Sequence, residues 1–246
     1  MDEMILRLPA IQKRIDATLR QDELAKQATA QEAPNGVDRM SSSGRCVRER
    51  WATVRGLPLD AGKGFAESPK LLRIFRLGHV IEDEVVALLE SAGYFIEDQQ
   101  LEVGEYPWVG HIDGVIHMGE DVPKRSLLEV KSANAARFEL LREVGYQRWN
   151  EGYFFQLQAY MMHLPGIEDA VVAVYCKDTS ELYFERVLFD VDVARRLEAE
   201  SSLVTSESST PPKKPKAATS QFCKFCKWCD RNAWCWSPAT AVEFDE

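Results

Sequence analysis

The seven residues LLEVKSA, 127–133, constrain this chain more than any other stretch. A short apolar run of this kind belongs in a sheet. Period-two alternation then puts Glu129 and Lys131 on one face, with Leu128 and Val130 on the other. Glutamate and lysine are seldom buried unless they are paired or coordinate something. An interior strand that aims a carboxylate and an ammonium in the same direction predicts a polar site on the floor of an α/β sheet.

The surrounding pattern supports that class. Residues 4–26 read as an amphipathic helix and 26–44 as a polar, low-complexity connection. Ser68-Pro69 starts a helix that apolar spacing carries to Gly93. Strands are expected near 94–103, 108–118 and 126–132, with a turn at 119–125. A helix follows over 150–164, then strands at 169–177 and 181–189 and a helix to about 203. This order predicts an α/β core with a mixed sheet. Residues 201–220 are rich in Ser, Thr, Pro and Lys and read as a flexible linker. The expected organisation is an N-terminal helix and linker (1–45), a core (46–200), that linker, and a cysteine-rich cap and tail (221–246).

Asp113 lies in the second apolar strand, within GHIDGVI at 110–116. Pairing of the two strands would bring Asp113 and Glu129 to one end of the sheet. Neighbouring carboxylates repel unless a cation lies between them, and Mg²⁺ or Mn²⁺ suits oxygen donors. Such an ion can acidify a water and neutralise charge on a phosphate, and Lys131 would assist that water. The competing reading of the same residues is a buried Glu–Lys pair beside an unrelated loop aspartate.

GHIDGVI followed by LLEVKSA resembles the core of the PD-(D/E)XK nuclease superfamily. QLQAY, 156–160, resembles the Q-x-x-x-Y motif of its RecB-like branch, which includes AddB-type and CRISPR-associated nucleases. The resemblance covers about 46–236, and its departure is Ile112 where the superfamily's name has Pro. It implies a restriction-endonuclease-like core, a central mixed sheet flanked by helices with a small cysteine-rich cap. It implies that His79, Asp113, Glu129 and the Val130 carbonyl hold Mg²⁺ or Mn²⁺, and that Asp113, Glu129 and Lys131 are catalytic. Gln156 and Tyr160, one turn apart on a helix, would position DNA and orient the lysine. Glu82 could join the metal through water and His111 could stand behind Asp113, whereas His117 and His163 read as structural. The function implied is hydrolysis of DNA phosphodiester bonds, with an exonuclease on free ends or single strands favoured over an endonuclease by family tendency.

CKFCKWCDRNAWC brings Cys223, Cys226, Cys229 and Cys235 within thirteen residues, a pattern that both zinc and iron–sulfur clusters accept. Cys226, Cys229 and Cys235 resemble the C-terminal triplet of iron–sulfur nucleases in the RecB-like branch. The resemblance implies that the fourth ligand of a [4Fe–4S] cluster is Cys46, far upstream. Cys223 departs from that pattern and keeps open a local zinc site of Cys223, Cys226, Cys229 and Cys235. Cys176 reads as a buried core thiol.

The chain carries a formal net charge of −9, yet residues 45–76 and 211–235 are each net +5. Local basic segments steer polyanions whatever the total. Arg45, Arg48, Lys224 and Lys227 are the expected DNA contacts, on a rim formed where the two basic arms meet. No apolar run approaches a membrane span and no signal-peptide core is seen, so a cytoplasmic protein is expected. A recombination or helicase partner fits the nuclease reading. The rivals are a nuclease-fold protein that grips DNA without cutting it, and a CRISPR adaptation nuclease that shares the chemistry.

Overall fold

The computed structural model describes residues 9–29, 36–61, 63, 68–118 and 124–237. Its helices are α1 (Pro9–Thr29), α2 (Val47–Val54), α3 (Pro69–Ser91), α4 (Ala135–Trp149), α5 (Glu151–Met162), α6 (Val191–Thr205) and α7 (Asn232–Cys235). Its strands are β1 (Asp38–Arg39), β2 (Phe95–Glu97), β3 (Glu102–Glu105), β4 (Trp108–His111), β5 (Gly114–Met118), β6 (Lys124–Ala133), β7 (Asp169–Cys176) and β8 (Leu182–Leu188).

Five strands form the central sheet in the order β2-β5-β6-β7-β8. Only β6 and β7 run parallel, so the sheet is mixed, as expected. The parallel pair needs a long crossover, and α4 and α5 supply it. The strand β6 lies between β5 and β7 and is buried on both faces. Leu128 and Val130 pack with Ile81, Val85 and Leu89 of α3. Leu127 and Ala133 join the opposite cluster with Phe138 of α4 and Leu157 of α5. Each such aliphatic side chain contributes about 1.5–3 kcal/mol on full burial.

Local chemistry sets the helix ends. Ser68 caps α3 by accepting the Leu71 N–H at 3.4 Å, with Pro69 in the first turn. Asn134 caps α4 through Arg137 N at 2.9 Å. Asn150 caps α5 through Tyr153 N at 3.3 Å, and Asp190 caps α6 through two amides, each at 3.1 Å. Caps of this type contribute about 1 kcal/mol each.

Several expectations change. Residues 4–8 of the expected first helix, 119–123 of the expected turn and the tail from 238 lie outside the described residues. The stretch 26–44 is not featureless: β1 and a 3-10 turn at Met40–Ser42 lie within it. Buried Asp38 there takes the guanidinium of Arg50 through Nε at 3.1 Å and Nη2 at 2.5 Å, and the Ser201 hydroxyl at 2.8 Å.

The strands expected over 94–103 and 108–118 are each divided. β3 and β4 leave the central sheet and form a second one with β1, in the order β1-β4-β3. Ile112 exchanges backbone bonds with Leu101 (3.1 Å) and Gln100 (2.9 Å), so the chain changes sheets at 112–113. Asp113 therefore lies at the joint before β5, not inside a strand. The helix α4 was not foreseen. It is interrupted at Gly145, whose φ of 74° suits glycine.

Nor does the segment 206–220 hang free. Arg48 donates to the Pro212 carbonyl at 2.6 Å, and Lys214 and Ala218 are buried. The cap beyond it docks on α2 and the loop after it. Arg231 donates to Leu57 O at 3.1 Å and to Thr53 Oγ1 at 2.9 Å, and Trp234 stacks on Trp51 with centroids 6.0 Å apart.

Candidate active site and cysteine cavity

The register of β5 on β6 pairs Gly114 with Leu128, which sets Asp113 beside Glu129. Asp113 Oδ2 accepts the Val130 N–H at 2.7 Å. Glu129 is fully buried on the α4/α5 face of β6, in contact with the Lys131 ammonium, and its Oε2 has no hydrogen-bond partner. Burial drives the Glu129 carboxyl up to about 7; Lys131 opposes that rise, while the Asp113 and Glu82 charges add to it. Burial works against the Lys131 charge, but Glu129 and then Asp113 outweigh it and hold the ammonium protonated. Two carboxylates and one ammonium thus converge at one end of the sheet. The orphaned buried oxygen and the carboxylate donors are of the chemistry that a divalent cation takes, although among the described residues no three His, Cys, Asp or Glu groups are gathered around one point here.

Gln156 and Tyr160 are buried together, the Gln156 amide donating to the Tyr160 hydroxyl at 2.9 Å. The Tyr160 ring closes over Gly110, where a Cβ would stand 2.5 Å from Cε1. The aromatic surface under Lys131 belongs instead to Tyr153, with the ammonium 5.2 Å from the ring centroid. Tyr146 also lies within the field of this site. Burial first, then the Glu129 charge, pushes its phenol well above the ordinary range, and its buried hydroxyl has no partner among the described residues. Neither tyrosine was singled out from the sequence. Tyr153 stands three residues before Gln156 on the same helix face, a signal that could have found it. Tyr146 lies on the helix that went unread.

His79 is 76% exposed, and its Nδ1 is 3.8 Å from Glu82. Glu82 is the α3 residue coupled to the site. Burial raises its carboxyl, then Asp113 does so, and Lys131 pulls it down. It also accepts from Gln100 at 2.5 Å. His111 faces Glu102 at 3.6 Å and His117 faces Glu97 at 3.0 Å. His163 packs edge-on against Trp108.

Cys46, Cys226, Cys229 and Cys235 line one cavity of ≈ 460 Å³ between α2 and the cap. Cys223 does not line it; its Sγ faces Ala217 O at 3.5 Å and Cys226 N at 3.4 Å. Burial raises the Cys46 thiol, which also feels Cys235, and burial pushes Cys229 up to about 12. The thiols surround a space and do not point at one centre: among the described residues no three His, Cys, Asp or Glu groups are gathered tightly enough for a single ion.

The expected DNA contacts differ in exposure, and Arg45 reaches Asp230 of the cap at 3.8 Å. Lys224 and Lys227 are exposed on the cap. Arg45 is 57% exposed and pairs with Glu49 at 2.9 Å. Arg48 is fully buried, 5.3 Å from the Trp234 ring centre, and so is not the exposed contact for DNA expected from the sequence. The reason is that α2 turns Arg48 inward to bond the Pro212 carbonyl.

The mixed sheet with flanking helices places the chain in the fold class of known exonucleases. The phage-related exonuclease from Haemophilus somnus 129PT matches over 69% of this chain and 92% of its own, with TM-score 0.50 and 13% identity. The crystal structure of SSO0001 matches over 95% of this chain and 98% of its own, with TM-score 0.50 and 14% identity. The alkaline exonuclease LHK-Exo from Laribacter hongkongensis covers 70% of this chain and 87% of its own at TM-score 0.47 and 16% identity. No family model matches the sequence, and no curated protein is similar to it. Among the described residues no helix is long and apolar enough to cross a membrane.

Proposed function

We propose that this protein is a metal-dependent DNA nuclease that hydrolyses phosphodiester bonds, acting as an exonuclease on free ends or single strands. One observation carries the reading. A fully buried glutamate with an orphaned oxygen is paired to a lysine and set beside an aspartate at a sheet junction. A stability role alone gives little reason to bury such a group, because apolar replacements of buried ion pairs are often as stable. The fold shared with the phage-related exonuclease supports the same reading.

Asp113, Glu129 and the Val130 carbonyl would hold Mg²⁺ or Mn²⁺, with His79 and Glu82 at the α3 edge of the site. When bound, the ion would acidify a water and offset charge on the phosphate. Lys131 remains an ammonium beside Glu129, so it acts as a donor to the water or to a phosphate oxygen and not as a base. The Tyr153 ring lies under its ammonium. Tyr160, held by Gln156, walls the side toward β4.

The cysteine cavity supports a second, structural group. Four thiols around ≈ 460 Å³, with Cys223 outside, suit a [4Fe–4S] cluster better than a local zinc ion. Bound there, a cluster would tie α2 to the cap.

The test is cleavage of end-labelled single-stranded and duplex DNA by anaerobically purified protein, with Mg²⁺, Mn²⁺ or EDTA. Metal-dependent release of nucleotides from ends is the expected result. DNA binding with no cleavage in either metal would leave a non-cutting DNA-binding protein in its place.

A further inference from the structure

Residues 220–229 form successive turns closed by i to i+3 bonds. Cys223 N donates to Ser220 O at 3.2 Å, Cys226 N to Cys223 O at 3.1 Å and Cys229 N to Cys226 O at 2.9 Å. Lys227 N also donates to Cys223 O at 3.0 Å, so the turns are not a regular helix, but the sequence itself repeats every three residues in three sets. The first holds Cys223, Cys226 and Cys229, the last two lining the cavity, which Phe225 and Trp228 also line. The second holds Phe222, Phe225 and Trp228, and the third holds Lys224 and Lys227.

The aromatic face is open. Phe222 is 79% exposed, Phe225 45% and Trp228 74%. Phe222 and Trp228 are the most exposed large apolar side chains among the described residues. Burying either would remove apolar area from water, and neither belongs to the hydrophobic core. Lys224 is exposed, and Lys227 holds its ammonium 5.3 Å from the Trp228 ring centre. Rings interleaved with lysines suit a chain of flat bases on a charged backbone better than an apolar protein groove. The segment 211–235 is net +5 on a molecule of net charge −9, so its field favours a polyanion.

The geometry points to this outer edge of the cap, Phe222, Phe225 and Trp228 with Lys224 and Lys227, as a binding face for single-stranded DNA. The inference rests on the reading that DNA is the substrate. Bases in a duplex are stacked at about 3.4 Å with their faces covered, so this ladder accepts bases that are already unstacked. A chain of contacts runs from the ring face toward the candidate active site. Phe225 and Gly44 line a common cavity of ≈ 520 Å³. Gly44 lies against the backbone of Gly152, next to the Tyr153 that underlies Lys131.

The experiment measures binding of the full chain in EDTA to a labelled oligo(dT), an abasic strand of equal length and a duplex, across salt concentration. Wild-type protein is expected to prefer oligo(dT). Trp228→Ala should weaken that binding roughly 5- to 150-fold, the usual range for one stacked base, and Trp228→Phe should keep most of it. Lys224→Ala with Lys227→Ala should weaken all three probes and flatten the salt dependence. A triple alanine change at the rings that leaves oligo(dT) affinity unaltered would overturn the inference. So would one that weakens the abasic strand as much as oligo(dT). So would ring changes that alter only self-association in sedimentation, which would make the face a contact between copies. Cleavage of DNA in Mn²⁺, followed in parallel, separates the two readings. Ring-dependent binding without cleavage defeats the nuclease assignment alone, and cleavage without ring-dependent binding defeats the ladder alone.

Discussion

Asp113 Oδ2 accepts the main-chain N–H of Val130 at 2.7 Å. The bond clamps the joint between the two sheets onto the strand that carries Glu129 and Lys131. One carboxylate oxygen is thereby committed to structure, and the other remains for chemistry. Asp113→Asn can keep the bond without the charge, whereas Asp113→Ala loses both. We expect Asp113→Asn and Glu129→Gln to fold and to bind DNA in EDTA, with cleavage reduced about 10³-fold or more, the scale of losing one preorganised charged group. Asp113→Ala should in addition unfold more easily by about 1–3 kcal/mol. Cleavage assays and denaturant titration check both. Undiminished Mn²⁺-dependent cleavage by Glu129→Gln would remove it from the site.

With Glu129 raised to about 7, a cation must displace a proton to use this carboxylate. Metal affinity should therefore climb through neutral pH and level off above it, as metal ligation releases protons. The sign for stability is opposite. Between the ordinary glutamate value and about 7 the folded state binds more protons than the unfolded one, so without metal the protein loses stability as pH rises. Calorimetry of Mn²⁺ binding at pH 6 and pH 8, and unfolding with and without metal, should show this crossing. Pairing of equal affinity at both pH values would mean that Glu129 is ionised throughout.

Asp169 behaves in the reverse sense. Burial would raise its carboxyl, but the ammonium of Lys124, the Ser126 hydroxyl and the Arg186 guanidinium outweigh that and hold it below the ordinary range. Its contribution is present above the unfolded aspartate value and is lost as pH falls through the folded one. Asp169→Asn should cost about 2 kcal/mol at neutral pH and less in acid, where the wild type weakens too. Thermal unfolding from neutral pH to pH 3 measures the convergence.

Gly44 and Gly152 are packed backbone to backbone. A Cβ on Gly44 would lie 2.3 Å from the Gly152 Cα, an approach that no side-chain motion relieves. Gly44→Ala should cost about 1–3 kcal/mol through overpacking. It should also disturb both Cys46, two residues on, and Tyr153 beneath Lys131. Equal loss of metal retention at the cysteines and of DNA cleavage is expected, and a folded variant normal in both would show that the contact yields.

Anaerobic protein should contain about four iron per chain, as a [4Fe–4S] cluster requires. Cys46→Ser should lose the iron and much stability, because Cys46 lines the cavity from α2, while Cys223→Ser should retain both. Colourless protein holding zinc and indifferent to Cys46→Ser would restore the local cysteine set.

The sequence by itself determined the mixed α/β class and the faces of β6. Alternation is a local property of the backbone, and an apolar strand with Glu129 and Lys131 in phase has one way to turn them. The Ser68-Pro69 start of α3 was legible for the same reason, since capping depends on neighbours in the chain. Only the tertiary structure decided that Asp113 lies at a junction between two sheets, because the break at Ile112 follows from its pairing with Gln100 and Leu101. The burial of Arg48, and the turning of three thiols and Cys46 toward one cavity while Cys223 faces elsewhere, are set by how the cap docks on α2. Those contacts join residues more than 150 positions apart. Local propensity carries no information about such contacts, and the charge of an arginine does not tell whether a carbonyl or a phosphate receives it.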